Sequence, residues 1–63
     1  MNDERMYVTE KRVSQLTGLS CSTLQKHRFY GKGIPYVKMG RVVRYCLDDV
    51  YRYLDAHRIT HIE

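Results

Sequence analysis

The sequence predicts a single small α+β domain, residues 1–63, with two short capped helices, then a β-hairpin, then a third helix. Three observations carry that expectation. A helix start signal recurs at Thr9 and Ser20 on either side of Gly18, alternating apolar residues flank Gly40, and an i, i+3, i+4 apolar stripe follows Asp48. At 63 residues and 7.5 kDa the chain buries only about 60% of the surface that its unfolded form exposes, so a small core and marginal stability are expected.

The first helix is expected from Glu10 to Thr17, with Val13 and Leu16 as its apolar pair. Thr9 supplies an N-cap oxygen, Val8 and Val13 occupy hydrophobic staple positions, and Gly18 tolerates the left-handed residue that ends a helix. The same grammar repeats at once. Ser20 caps a second helix over Cys21–Phe29, Leu19 and Leu24 take the staple positions, and Leu24 is the inward anchor. Ser22, Thr23, Gln25, Lys26 and Phe29 then lie around its outer surface. A short connection containing glycine between two such helices is the helix-turn-helix pattern.

Gly31, Lys32, Gly33, Ile34 and Pro35 break the helix, and residues 36–46 read as a hairpin. Two registers compete. A three-residue loop over Gly40, Arg41 and Val42 collects Val37, Met39, Val43 and Tyr45 on one face and Tyr36, Lys38 and Arg44 on the other. A two-residue Gly40-Arg41 turn pairs Met39 with Val42 and puts Arg44 on the face of Val37. The first separates apolar from charged side chains and is the register expected. Asp48 then caps a third helix running to about His57, with Val50, Tyr53 and Leu54 as its apolar stripe.

Charge is distributed unevenly. The chain has 11 Lys plus Arg against 7 Asp plus Glu, yet no acid lies between Lys11 and Leu47. That block holds Lys11, Arg12, Lys26, Arg28, Lys32, Lys38, Arg41 and Arg44, while all the acids sit in the two ends. Solvated faces usually mix signs, so an acid-free block points to a polyanionic partner. A well-soluble basic surface is the plainer alternative.

A helix-turn-helix followed by a hairpin with exposed cations suits a DNA groove, because the second helix fits the major groove and the hairpin reaches the flanking backbone. The candidate DNA-binding residues divide by chemistry. Gln25 matches an adenine edge, Lys26 and Arg28 donate to guanine or phosphate, and Ser20, Ser22 and Thr23 are short donors for phosphate oxygens. Tyr36 flanks the basic stretch as a phosphate donor, as does Tyr30. Lys38, Arg41 and Arg44 are the expected backbone contacts of the hairpin.

These residues resemble the excisionase-like and AlpA-like small DNA-binding proteins of the MerR-type winged helix-turn-helix superfamily. The resemblance runs through Tyr7-Val8-Thr9-Glu10, Leu16-Thr17-Gly18-Leu19-Ser20, Ser22-Thr23-Leu24, Gly31-Lys32-Gly33-Ile34-Pro35 and residues 36–41. It continues in Arg44-Tyr45, Asp48-Asp49-Val50 and Tyr53-Leu54, spanning about Tyr7 to His57. It implies a non-enzymatic, sequence-specific binder of double-stranded DNA from a mobile element or phage. The function implied is either an excisionase, which directs a tyrosine integrase towards excision, or a small transcriptional regulator. The second helix from Ser20 to Arg28 would read bases, with Lys38, Gly40, Arg41 and Arg44 in the wing. MerR regulators continue into a long dimerising helix; this chain ends at Glu63, so a monomer that associates cooperatively on DNA is expected, with no cofactor. A competing reading is a protein-interaction adaptor that docks a recombinase or polymerase, with DNA contact incidental.

Other chemistries have weaker support. No nucleophile, base and orienter set can be assembled, and Gly31-Lys32-Gly33 lacks the length of a phosphate-cradling loop. Cys21 and Cys46 form no CxxC pair and read as small buried hydrophobes. His57 and His61 are spaced i, i+4 but want a third metal ligand, and His27 faces either phosphate or the core. With no apolar run near 20 residues and no secretory leader pattern, a cytoplasmic protein of prokaryotic or phage origin is expected, without membrane contact.

Overall fold

A computed structural model of the chain describes residues 5–60. It is a small α+β fold of three helices and a three-stranded antiparallel sheet, in the order β1 (Tyr7–Val8), α1 (Glu10–Thr17), α2 (Cys21–Phe29), β2 (Val37–Met39), β3 (Val42–Cys46) and α3 (Leu47–Ala56).

Local signals place the first two helices. The Thr9 hydroxyl accepts from the Arg12 amide at 3.2 Å, and Gly18, at φ 78°, closes α1 by donating its amide to the Ser14 carbonyl. In the connection to α2, the Thr17 hydroxyl donates to the Val13 carbonyl at 2.8 Å and accepts from the Leu19 amide at 3.1 Å. One side chain thereby ties the end of α1 to the turn that follows. Ser20 caps α2 by accepting from the Thr23 amide at 3.1 Å. Replacing Thr9 by Ala removes the first of these caps and is expected to lower stability by about 1 kcal/mol, read by urea denaturation. A change below a few tenths would show that the cap is dispensable.

β3 is the centre of the sheet, in the order β1-β3-β2. β1 pairs Tyr7 with Cys46 and Val8 with Tyr45; β2 pairs Val37 with Arg44, Lys38 with Val43 and Met39 with Val42. The hairpin therefore closes through a two-residue Gly40-Arg41 turn, and the expected three-residue loop is corrected. The reason is backbone sterics. Three-residue hairpin loops commonly end on a left-handed residue, which would be Val42, and a β-branched side chain is strongly disfavoured there. With two residues only Gly40 takes a positive φ, 62°, and no other residue type among those described does so.

The register decides which side chains enter the core. Tyr45, 1% exposed, lies with Val8 and Val43 against Val13, Leu24, Ile34 and Val50, all 3% exposed or less. Leu19, Tyr53 and Leu54 pack around this cluster. Val37 and Met39, expected on the core face, lie on the opposite face and are exposed. A second correction concerns α3. Its N-cap residue is Cys46, which makes no side-chain cap bond, and Asp48 and Asp49 lie inside the first turn. The Leu47 amide, first in the helix, donates to the Met6 carbonyl at 2.9 Å, so backbone beside β1 satisfies one of the orphan donors at this end. The carboxylates still lie at the positive end of the helix dipole.

Candidate nucleic-acid interface

Glu10, on the first turn of α1, faces α2 and organises it. One carboxylate oxygen accepts from Gln25 Nε2 at 3.0 Å, and the other lies 2.8 Å from Arg28 Nη1. The same Arg28 nitrogen donates to the Tyr45 hydroxyl at 2.6 Å, which satisfies the polar end of the most voluminous fully buried side chain. The guanidinium also stacks over two rings, 5.7 Å from the Tyr36 centroid and 6.0 Å from that of Tyr45. Arg28 and Glu10 are 18% and 23% exposed.

This pairing shifts both groups. Burial alone would raise the Glu10 pKa, but hydrogen bonds from Gln25 and Arg28, with the Arg28 charge, outweigh it and hold the carboxyl below its usual value. Burial opposes the Arg28 charge in the same way. The Tyr45 hydroxyl and the Glu10 carboxylate more than offset it, and the Arg28 pKa is raised.

The expected DNA-binding residues thus separate into groups. Arg28 is turned inward, 18% exposed, and its Nη1 is committed to both Glu10 and Tyr45, which gives it an internal role. Gln25 is exposed, with its amide nitrogen on Glu10; its carbonyl oxygen has no hydrogen bond among the described residues. Ser20 is spent on the cap and also donates to the Thr23 hydroxyl at 3.0 Å. Ser22 and Lys26 are exposed on α2.

In the hairpin, Lys38 pairs with Val43, so it shares the sheet face of Tyr45, the face that meets α2 through Arg28. Tyr36 lies on that side too, 6.2 Å from the Tyr45 ring and 40% exposed. Arg41 is exposed at the turn. Arg44 departs from expectation. It is half-buried, donates to the Val43 carbonyl at 2.8 Å, and lies on the far face beside Tyr7, Val37 and Met39, away from Lys38. The register explains this, because pairing 37 with 44 puts both on one face. The exposed cations of the acid-free block are therefore Lys11, Arg12, Lys26, Lys32, Lys38 and Arg41.

One feature escaped the sequence reading: the Glu10–Arg28 bridge joins residues with no shared periodicity. Phe29, placed on the outer surface of α2 by its spacing from Leu24, is 82% exposed, with Tyr30 at 68%.

Of the residues set aside, His57 ends α3 and its Nδ1 lies 2.8 Å from the Tyr53 carbonyl, while its expected companion His61 is outside the described residues. No group of three metal-ligating side chains occurs among the described residues. His27 turns inward from α2 against Gly33, which settles its orientation towards the protein. No helix among the described residues is long and apolar enough to cross a membrane. No protein-family model, curated protein or solved structure matches the chain.

Proposed function

We propose that this chain is a winged helix-turn-helix protein that binds double-stranded DNA, with α2 in the major groove and the β2-β3 hairpin as the wing along the phosphate backbone. The observation that carries the reading is the placement of cations: Lys26, Lys38 and Arg41 are exposed across α2 and the hairpin, within a stretch that contains no acid. Arg28, which would otherwise share this role, is used to hold α2 against Glu10 and Tyr45. Ser22, Lys26 and the carbonyl of Gln25 are the base-reading candidates, and Lys38 with Arg41 supplies affinity and register. Excision directed through a tyrosine integrase, or regulation of nearby genes, is the cellular role proposed, in keeping with the excisionase-like resemblance. The protein would be a cytoplasmic monomer that associates on DNA.

The test is titration into duplex DNA from the region flanking its own gene at two salt concentrations, against a scrambled duplex. With about five neutralised phosphates, the slope of log K against log salt is expected near −4 to −5. Arg41→Ala should make that slope shallower by about one, uniformly across sequences. Binding that ignores salt, or no binding at low salt, would overturn the proposal. Equal weak binding to both duplexes would remove the sequence-specific part of it.

A further inference from the structure

The outer face of α2 carries a shallow groove of about 430 Å³ lined by Ser22, Gln25, Lys26, Phe29 and Tyr30. Residues 22, 25, 26 and 29 follow helical spacing, so they form one stripe on the side away from Leu24. Phe29 stands at its end, 82% exposed, with its ring edge-on to Tyr30 at a centroid distance of 5.1 Å and an interplanar angle of 85°. The two rings brace each other, and neither belongs to the core cluster.

From this arrangement we infer that Phe29 reads a pyrimidine carrying a 5-methyl group, thymine above all, in the major groove of bound duplex DNA. The inference rests on the DNA-binding reading above. Its own basis is the pairing of an exposed aromatic ring with Lys26 in one groove, inside the acid-free block. A cationic surface of this kind selects a polyanion, and within the major groove of DNA the thymine methyl is the apolar feature on a base edge. Ring and methyl bury apolar surface against each other, while Lys26 and the Gln25 carbonyl meet the polar groups alongside.

The experiment replaces each thymine of the preferred duplex, one at a time, by deoxyuridine, which removes only the methyl group. The wild-type protein is expected to lose affinity about 3- to 5-fold at one or two positions, the size associated with burying a single methyl group. Phe29→Ala should bind the all-thymine duplex more weakly by a similar or larger factor and be indifferent to deoxyuridine at those positions. Because the ring is exposed, its removal should leave the thermal midpoint unchanged, which separates lost contact from lost fold. If no thymine is sensitive, or if Phe29→Ala keeps the same sensitivity, the inference is overturned while DNA binding stands. Failure of the wild-type protein to bind any duplex at low salt would overturn both.

Discussion

Arg28→Met is expected to destabilise the protein by about 2–3 kcal/mol, whereas Lys26→Met, two residues earlier on α2, should change stability by less than about 0.5 kcal/mol. Both substitutions remove one positive charge from the same helix. They differ in what the charge touches. Arg28 Nη1 bridges Glu10 and the Tyr45 hydroxyl, and its removal leaves a half-buried carboxylate short of its cation and a buried phenol without its partner. Removing one member of a fully buried pair costs about 3–5 kcal/mol; the 18% and 23% exposure of these side chains places this pair lower. For 63 residues, total stability is about 3–9 kcal/mol, so the loss is a substantial part of it. Urea denaturation of the two variants decides the matter, and equal stability would refute the assignment.

The same bridge gives stability a pH dependence of defined sign. The Glu10 carboxyl is held below its unfolded-chain value, so the folded state prefers it ionised. Its contribution is present above the ordinary carboxylate range, near pH 4, and fades as the pH falls through the lower folded value. Arg28→Met should flatten this part of the acid limb. The consequence for function is practical. Substituting Gln25 or Arg28 to ask whether DNA binding or adaptor docking dominates would disturb the contact between α1 and α2, so Lys26, Lys38 and Arg41 are the positions that test DNA contact with the fold intact.

How far the fold was legible depended on the range of the forces involved. The bounds of α1 and α2 followed from Thr9, Gly18 and Ser20, since capping is decided within four residues. β1 was not foreseen because two residues carry no period; Tyr7 and Val8 become a strand only by pairing with Cys46 and Tyr45. In the hairpin, charge segregation and turn sterics favour different registers, and the sterics prevail. Both registers keep Val43 and Tyr45 together; what separates them is a β-branched Val42 where a left-handed residue would be needed. At the surface, Lys26, Lys38 and Arg41 lie exposed as charge alone suggested. Arg28 and Arg44 do not, because the first finds Glu10 and the second follows a register that the charge pattern does not reveal.

Gly33→Ala is expected to cost about 2–4 kcal/mol, while Gly31→Ala, two residues away, should cost about 1–2 kcal/mol. Both glycines have a positive φ, 65° at Gly31 and 87° at Gly33, and both substitutions bear the left-handed penalty of an L side chain. Space separates them. A Cβ at Gly31 would meet nothing within 4 Å, but at Gly33 it would lie 2.7 Å from His27 Nδ1 and 2.8 Å from His27 Cβ. The ring cannot simply swing clear, because its Cβ belongs to α2 and is itself in the way. The approach is close because the Lys32 amide donates to the His27 carbonyl at 2.9 Å, pinning the loop to the helix just before Ile34 enters the core. Tyr36, stacked on Arg28, follows two residues later, so this contact also sets where the hairpin begins relative to α2. His27→Ala in the Gly33→Ala background removes the ring atoms but leaves the Cβ contact, so recovery should be partial. Equal losses for the two glycine variants, or full recovery in the double variant, would show that the close packing against His27 is not what excludes a side chain at position 33.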